Sequence, residues 1–172
     1  MKNRLKLFSI WDFELWDKKD GQVLKRWTER NICPDAFLND ALDVLFDGGT
    51  QKTTWYMLLF EDNHTPAAGD TYATPGFTEC TAYDESDRVT VNFAEPSSKS
   101  ITNSANPAQF TISDTKTIYG AGLVAGGSAP QTKSNTAGGG ILGPVSQFSG
   151  GSESVVDDNV LTVTVTITIA DT

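Results

Sequence analysis

Histidine and cysteine are almost missing from this chain: one His64, and Cys33 and Cys80, in 172 residues. Two cysteines cannot staple a disulfide scaffold. Tetrahedral zinc sites are built from closely spaced ligand pairs, whereas 46 residues separate these two. The sequence therefore predicts two buried or half-buried thiols, with a Cys33–Cys80 bridge left open because sequence does not place their Cα atoms, and neither metal nor cofactor. Long apolar runs are also missing. Nothing approaches the roughly 18 residues needed to cross a bilayer as a helix, and Met1-Lys2-Asn3-Arg4 leads into alternating charge, not into an apolar signal segment. Positive charge is scarce: 13 Lys and Arg stand against 22 Asp and Glu, for a net charge of -9. Nucleic-acid binding needs a positive surface for phosphates. The expectation is a protein that engages neither membrane nor nucleic acid.

What is present is apolar material for one core, with 38% hydrophobic and 10% aromatic residues. A chain this long buries about 70% of its unfolded surface as one unit, so 1–172 reads as a single β-rich domain. Residues 1–30 read as a basic N-terminal hairpin or arm. Leu5, Leu7, Trp11, Phe13 and Leu15 alternate with Lys6, Phe8, Ile10, Asp12, Glu14 and Trp16, the period of a strand. Asp17-Lys18-Lys19-Asp20-Gly21 supplies the turn, and Val23, Lys25 and Trp27 alternate on the return.

One helix is expected over 35–47. Pro34-Asp35 opens it with Asp35 or a neighbour as cap, Phe37, Leu38, Ala41, Leu42 and Leu45 form its buried face, and Gly48-Gly49 ends it. Thr54–Phe60 reads as a strand buried on both faces, and further strands are expected at Arg88–Ala94, Gln109–Ser113, Thr117–Ala125, Ile141–Phe148 and Val160–Ile169. Residues 126–140, rich in Gly and Ser, read as a flexible loop. Many short strands with one helix predict a mainly β fold, an antiparallel β-sandwich, Ig-like or jelly-roll-like.

Motifs for chemistry are weak. Gly120–Gly126 has no following helix and no βαβ unit for a dinucleotide, and Gly138–Gly143 lacks the Lys-Ser/Thr of a phosphate loop. Cys33, Cys80 or a serine beside His64 would be the only route to a base-activated nucleophile. Asp84, Glu85, Asp87, Asp157 and Asp158 sit in turn-like sequence, and Asp157-Asp158-Asn159 lacks the alternating spacing of a calcium loop. No catalytic residue is assigned, and the chain is not read as an enzyme.

Charge and aromatics are more informative. Residues 1–30 carry a net +3 and residues 31–172 a net -12. A basic hairpin on an acidic body suits docking to a negative neighbour, including a second copy. Trp11 and Trp55 read as core. Trp16 and Trp27, beside Lys18, Lys19, Lys25 and Arg26, read either as core or as an interface, since aromatics anchor interfaces. A tryptophan surface for sugars stays open as well.

The chain resembles small virion proteins of tailed bacteriophages, among them capsid cement or decoration proteins. The likeness runs in order through Met1–Trp11; Phe37–Phe46; Trp55-Tyr56 to Phe60 with Pro66–Thr71; Tyr83-Asp84-Glu85-Ser86-x-Arg88; Asn103-Ser104-Ala105 with Ala108–Ile112; Ile118–Leu123; Phe148–Gly151; and Leu161–Val165. Where that group commonly has a proline after the Arg, this chain has Val89. The resemblance implies a non-enzymatic virion component made in a bacterial host's cytoplasm and placed on the capsid exterior. Its partners would be the major capsid protein and copies of itself. A tail, collar or connector component, or a carbohydrate-binding module, is the alternative.

Overall fold

In the computed structural model, residues 5–171 are described. Met1–Arg4, which contribute Lys2 and Arg4 to the basic opening, and Thr172 lie outside the described residues. Strands β1 (Leu5–Asp17) and β2 (Val23–Arg30) form the expected hairpin. Gly21 turns it at φ +67° and donates its N–H to the Asp17 carbonyl at 2.9 Å. Helix α1 covers Asp35–Phe46. Then come β3 (Trp55–Phe60), β4 (Glu79–Cys80), β5 (Val89–Val91), β6 (Ser100–Thr102) and β7 (Ala108–Thr111). The chain ends through β8 (Lys116–Ile118), β9 (Gly120–Ala125), β10 (Ile141–Gln147), β11 (Glu153–Val155) and β12 (Asn159–Asp171).

Among the described residues the fold is mainly β, with antiparallel pairing between its strands and one helix. One sheet runs β2-β1-β12, with β6 and β7 sharing the far edge of β12. The other runs β10-β9-β3, with β4 and β5 sharing the far edge of β3. Strands β8 and β11 pair apart from both. Ile32 and Val145 exchange backbone hydrogen bonds at 3.0 Å and tie the exit of β2 to β10.

Period-two alternation sorts the core. Trp11, Phe13 and Leu15 of β1 and Leu161, Val163 and Val165 of β12 meet Met57 and Leu59 of β3 and Ala121 and Leu123 of β9. On the opposite face of the second sheet, Leu58, Phe60, Val124, Leu142 and Val145 lie under Tyr72 and Phe77 from the long connection after β3. Strand β3 is therefore buried on both faces, which is why its sequence is continuously apolar. Each such side chain stabilises the fold by about 2 kcal/mol through burial. Gly120 is required by close packing: a Cβ there would lie 2.1 Å from the Ser146 carbonyl oxygen and 2.3 Å from the Phe60 ring.

The helix departs from expectation at its start and on its buried face. Pro34 occupies the cap position and no side chain caps the first turn; the Asp35 N–H donates instead to the Ala68 carbonyl at 2.8 Å. Phe37 alone is fully buried, edge-on to Trp55 at 5.8 Å between ring centroids, with Ala41 and Val44 half-buried beside it. Leu42 and Leu45, expected in the core, are 57% and 65% exposed. Gly48, at φ +80°, ends the helix as expected.

The strand expected over Thr117–Ala125 is broken at Tyr119, because β8 belongs with β11 and β9 with the main sheet. Residues 126–140 are irregular but held. Arg88 donates to the carbonyls of Pro130 and Asn135, at 2.9 Å each, while its own N–H bonds Gln131 at 2.7 Å.

Candidate functional site

The aromatic residues of the hairpin build inward first. Trp11 stacks along Phe13, and Phe13 stacks on Trp27 at 5.1 Å, with Phe148 edge-on to both. Trp27, an interface candidate from sequence, is thus packed against the main core, with its indole N–H buried and unpartnered among the described residues. Trp16 lies on the other face of β1, half-buried, and its indole N–H donates to Thr162 Oγ1 at 3.2 Å. The two tryptophans therefore face opposite sides of the sheet and make no common surface.

The basic residues are largely occupied by the chain's own acids. Lys25 contacts Glu153 and stands 5.5 Å from the Trp27 ring centroid. Arg26 Nε donates to Glu14 Oε1 at 2.6 Å, across the hairpin. Lys18 lies 3.6 Å from Asp158. Lys19 is exposed at the turn tip, where its backbone N–H donates to Asp17 Oδ1 at 2.8 Å. Exposed pairs of this kind are each worth roughly 0.2–1 kcal/mol. Among the described residues, the pairs of Lys18 and Lys25 with Asp158 and Glu153 offset part of the hairpin's positive charge.

Two open apolar surfaces are the features that sequence reading missed. On α1, half-buried Leu38 is followed by exposed Leu42, Leu45 and Phe46 in an i, i+4, i+7, i+8 stripe, with Phe46 at 81% exposure. Asp35, Asp43 and Asp47 flank it, and Asp40 is paired to Lys52 at 2.6 Å. The second surface lies where β1 and β12 continue together beyond the covered core. Their inward residues Leu5, Leu7, Ile167 and Ile169, with Ile101 of β6, line a groove of about 530 Å³. Leu5 is 74% exposed, and Lys99 and Asp171 form the groove's charged rim. The sequence signal was present in both cases. Apolar residues surround most of the α1 circumference, and the alternation of β1 and β12 runs on past the length that a second sheet can cover.

Ionisable groups elsewhere are tied into structural contacts. Arg88 forms a bidentate pair with Glu79, 2% and 5% exposed at their side chains, and also bonds the Tyr72 hydroxyl at 3.4 Å. Desolvation opposes the Arg88 charge, but the Glu79 carboxylate outweighs it and holds the guanidinium firmly protonated. Burial pushes the Cys33 and Cys80 thiols above their ordinary range, and both are free. His64 Nε2 lies 2.8 Å from Asp70 Oδ2, so the histidine is engaged by a carboxylate and not by either thiol. Among the described residues no group of three or more His, Cys, Asp or Glu is placed to hold a metal ion. No helix among them is long and apolar enough to cross a membrane. No known family model matches the chain, and no curated protein matches it either.

Proposed function

We propose that this protein is a structural component of a tailed-phage virion, a capsid cement or decoration protein on the outer face of the head. Its partners are the major capsid protein and further copies of itself, and it performs no catalysis. The ordered sequence resemblance along nearly the whole chain supports this reading. The observation that carries it is the pair of open apolar surfaces on an otherwise polar, acidic body, because contiguous apolar patches on a small domain mark contact with other proteins.

The mechanism is linkage. Copies that bind the assembled shell and not its dissociated subunits stabilise the shell by mass action. The acidic remainder of the surface keeps a crowded layer of copies from aggregating.

Quantitative mass spectrometry of purified particles, scaled to the major capsid protein, tests the proposal. A ratio near one, or a simple fraction of one, is expected. A handful of copies per particle would place the chain in the tail, collar or connector instead. Absence from the particle would overturn the virion reading and turn attention to polysaccharide titration of Trp16, the half-buried tryptophan of the outer sheet face.

A further inference from the structure

A cavity of about 220 Å³ lies over the second sheet, on the face turned away from the first. Its floor is aliphatic: Leu58 of β3, Val124 of β9 and Leu142 of β10, none more than 2% exposed. Tyr72 and Phe77 of the connection after β3 add aromatic walls, and Thr136 of segment 126–140 stands at its mouth. A cavity of about 150 Å³ with apolar walls takes up benzene, so this one has room for a small aromatic ring system. The polar part of the lining is the Arg88–Glu79 pair, which is complete in itself. All five guanidinium N–H groups of Arg88 are engaged, by Glu79, Tyr72 and the carbonyls of Pro130 and Asn135. Glu79 also accepts the Ser134 N–H at 2.9 Å. An anion entering here finds no free guanidinium donor and meets a carboxylate, and a cation meets a carboxylate whose charge is already answered. Burial of an unpaired charge is costly, so the occupant that fits is neutral. Access is provided by segment 126–140. Gly126 and Gly127 at one end, and Gly138 and Gly139 at the other, all sit at φ between +68° and +86°, where glycine alone turns freely. Between these hinges the segment is fastened to the cavity's own Arg88 and Glu79, so cover and lining share one anchor.

We propose that this cavity binds a small neutral aromatic molecule, of the size of toluene or indole, with segment 126–140 as its lid. Contact with Leu58, Val124 and Leu142 supplies the affinity through burial of the ring, and the self-satisfied Arg88–Glu79 pair supplies the selectivity against charge. The site shares no residue with the α1 stripe or the β1–β12 groove. It therefore goes beyond the virion reading and stands or falls separately from it.

Ligand-observed NMR of the full chain with toluene, indole, benzoate and benzylamine, paired with thermal melting, is the experiment. Toluene and indole should bind saturably, with a Kd of about 1 mM or tighter, and should raise Tm with concentration. Benzoate and benzylamine are of similar size but charged, and should bind more weakly by about tenfold or more. Val124→Phe fills the cavity from its floor, and Thr136→Trp blocks it from an exposed position of the lid. Each should weaken indole binding by about tenfold or more. The second substitution should keep the wild-type circular dichroism, so it decides the matter if the first disturbs packing. Bound indole should also slow hydrogen exchange at residues 128–136. No saturable binding of either neutral ring overturns the proposal. So does benzoate or benzylamine bound as tightly as toluene, and so does a folded Thr136→Trp chain that binds indole as the wild type does. Binding that leaves exchange at 128–136 unchanged would refute the lid.

Discussion

Tyr83 points its hydroxyl into the main core without a hydrogen-bond partner among the described residues, while Lys133 lies 3.7 Å from its ring centroid and donates to its carbonyl at 2.7 Å. A buried unsatisfied hydroxyl costs about 1–3 kcal/mol. Tyr83→Phe removes that cost and keeps the ring under Lys133, so urea unfolding should show a gain of about 1 kcal/mol. A loss would mean that the hydroxyl is satisfied in solution. The same environment sets an alkaline limit. Burial holds Cys33 and Cys80 neutral above the ordinary thiol value of 9.0, and Tyr83 above the ordinary phenol value of 10.0. A group whose proton is held more tightly in the folded state gives stability that is complete below its unfolded pKa and is lost as pH rises. Tm should therefore fall as pH climbs past 9 and more steeply past 10. Lys133, lowered by desolvation, works the other way and offsets part of the loss. Calorimetry of Tyr83→Phe should show a shallower decline above pH 10. At this scale the sequence was legible where a side chain had one plausible place, as for Trp11. It was not legible for Trp27, whose fate depends on Phe148 arriving from 121 positions away.

Arg88 acts as the fastening of an entire connection. Its guanidinium and backbone hold carbonyls at Pro130, Gln131 and Asn135, so segment 126–140 is strapped to the body although its sequence is glycine-rich. Arg88→Met leaves Glu79 charged and buried, which costs about 3–5 kcal/mol. Hydrogen exchange should rise first at residues 128–136, and exchange confined to other segments would contradict the strap. Strand β9 offers a matched pair of substitutions. Gly120→Ala forces a Cβ onto the Ser146 carbonyl and the Phe60 ring, whereas Gly122→Ala meets only methyl groups at 3.5 Å. The first should lower stability by more than about 2 kcal/mol and the second by less than 1; equal effects by thermal melting would refute the packing argument. The elements that periodicity defines, β1, β3 and β12, were all readable. The buried face of α1 was not, because apolar residues lie around most of the helix and only contact with Trp55 and β10 chooses Phe37 over Leu42. Val89, which extends the expected strand, opens β5 opposite Met57.

Across the whole molecule, the uneven charge of the sequence is partly cancelled by folding. Lys18 and Lys25 reach Asp158 and Glu153, residues more than a hundred positions away, so a positive hairpin on paper becomes a nearly neutral surface in three dimensions. Lys19, at the turn tip, isolates any role of the hairpin in docking. Under the proposed function, Lys19→Glu should leave Tm unchanged and weaken binding to purified heads severalfold at low salt. Unchanged binding would remove the hairpin from the mechanism. The sandwich class was legible because strand period and turn spacing are local properties. Pairing partners beyond the hairpin were not, since the second neighbour of β1 is the last strand, β12. That pairing also governs how the chain is made. Leu5 faces Asp171 and Asp17 faces Asn159, so during synthesis β1 leaves the ribosome well over a hundred residues before its central neighbour. At 5–20 residues per second the wait is roughly 7–30 s, during which Trp11 and Phe13 have only the hairpin's own return strand beside them. Premature termination anywhere before Asn159 should therefore yield chains that chaperones retain, and only full-length translation should close the sheet.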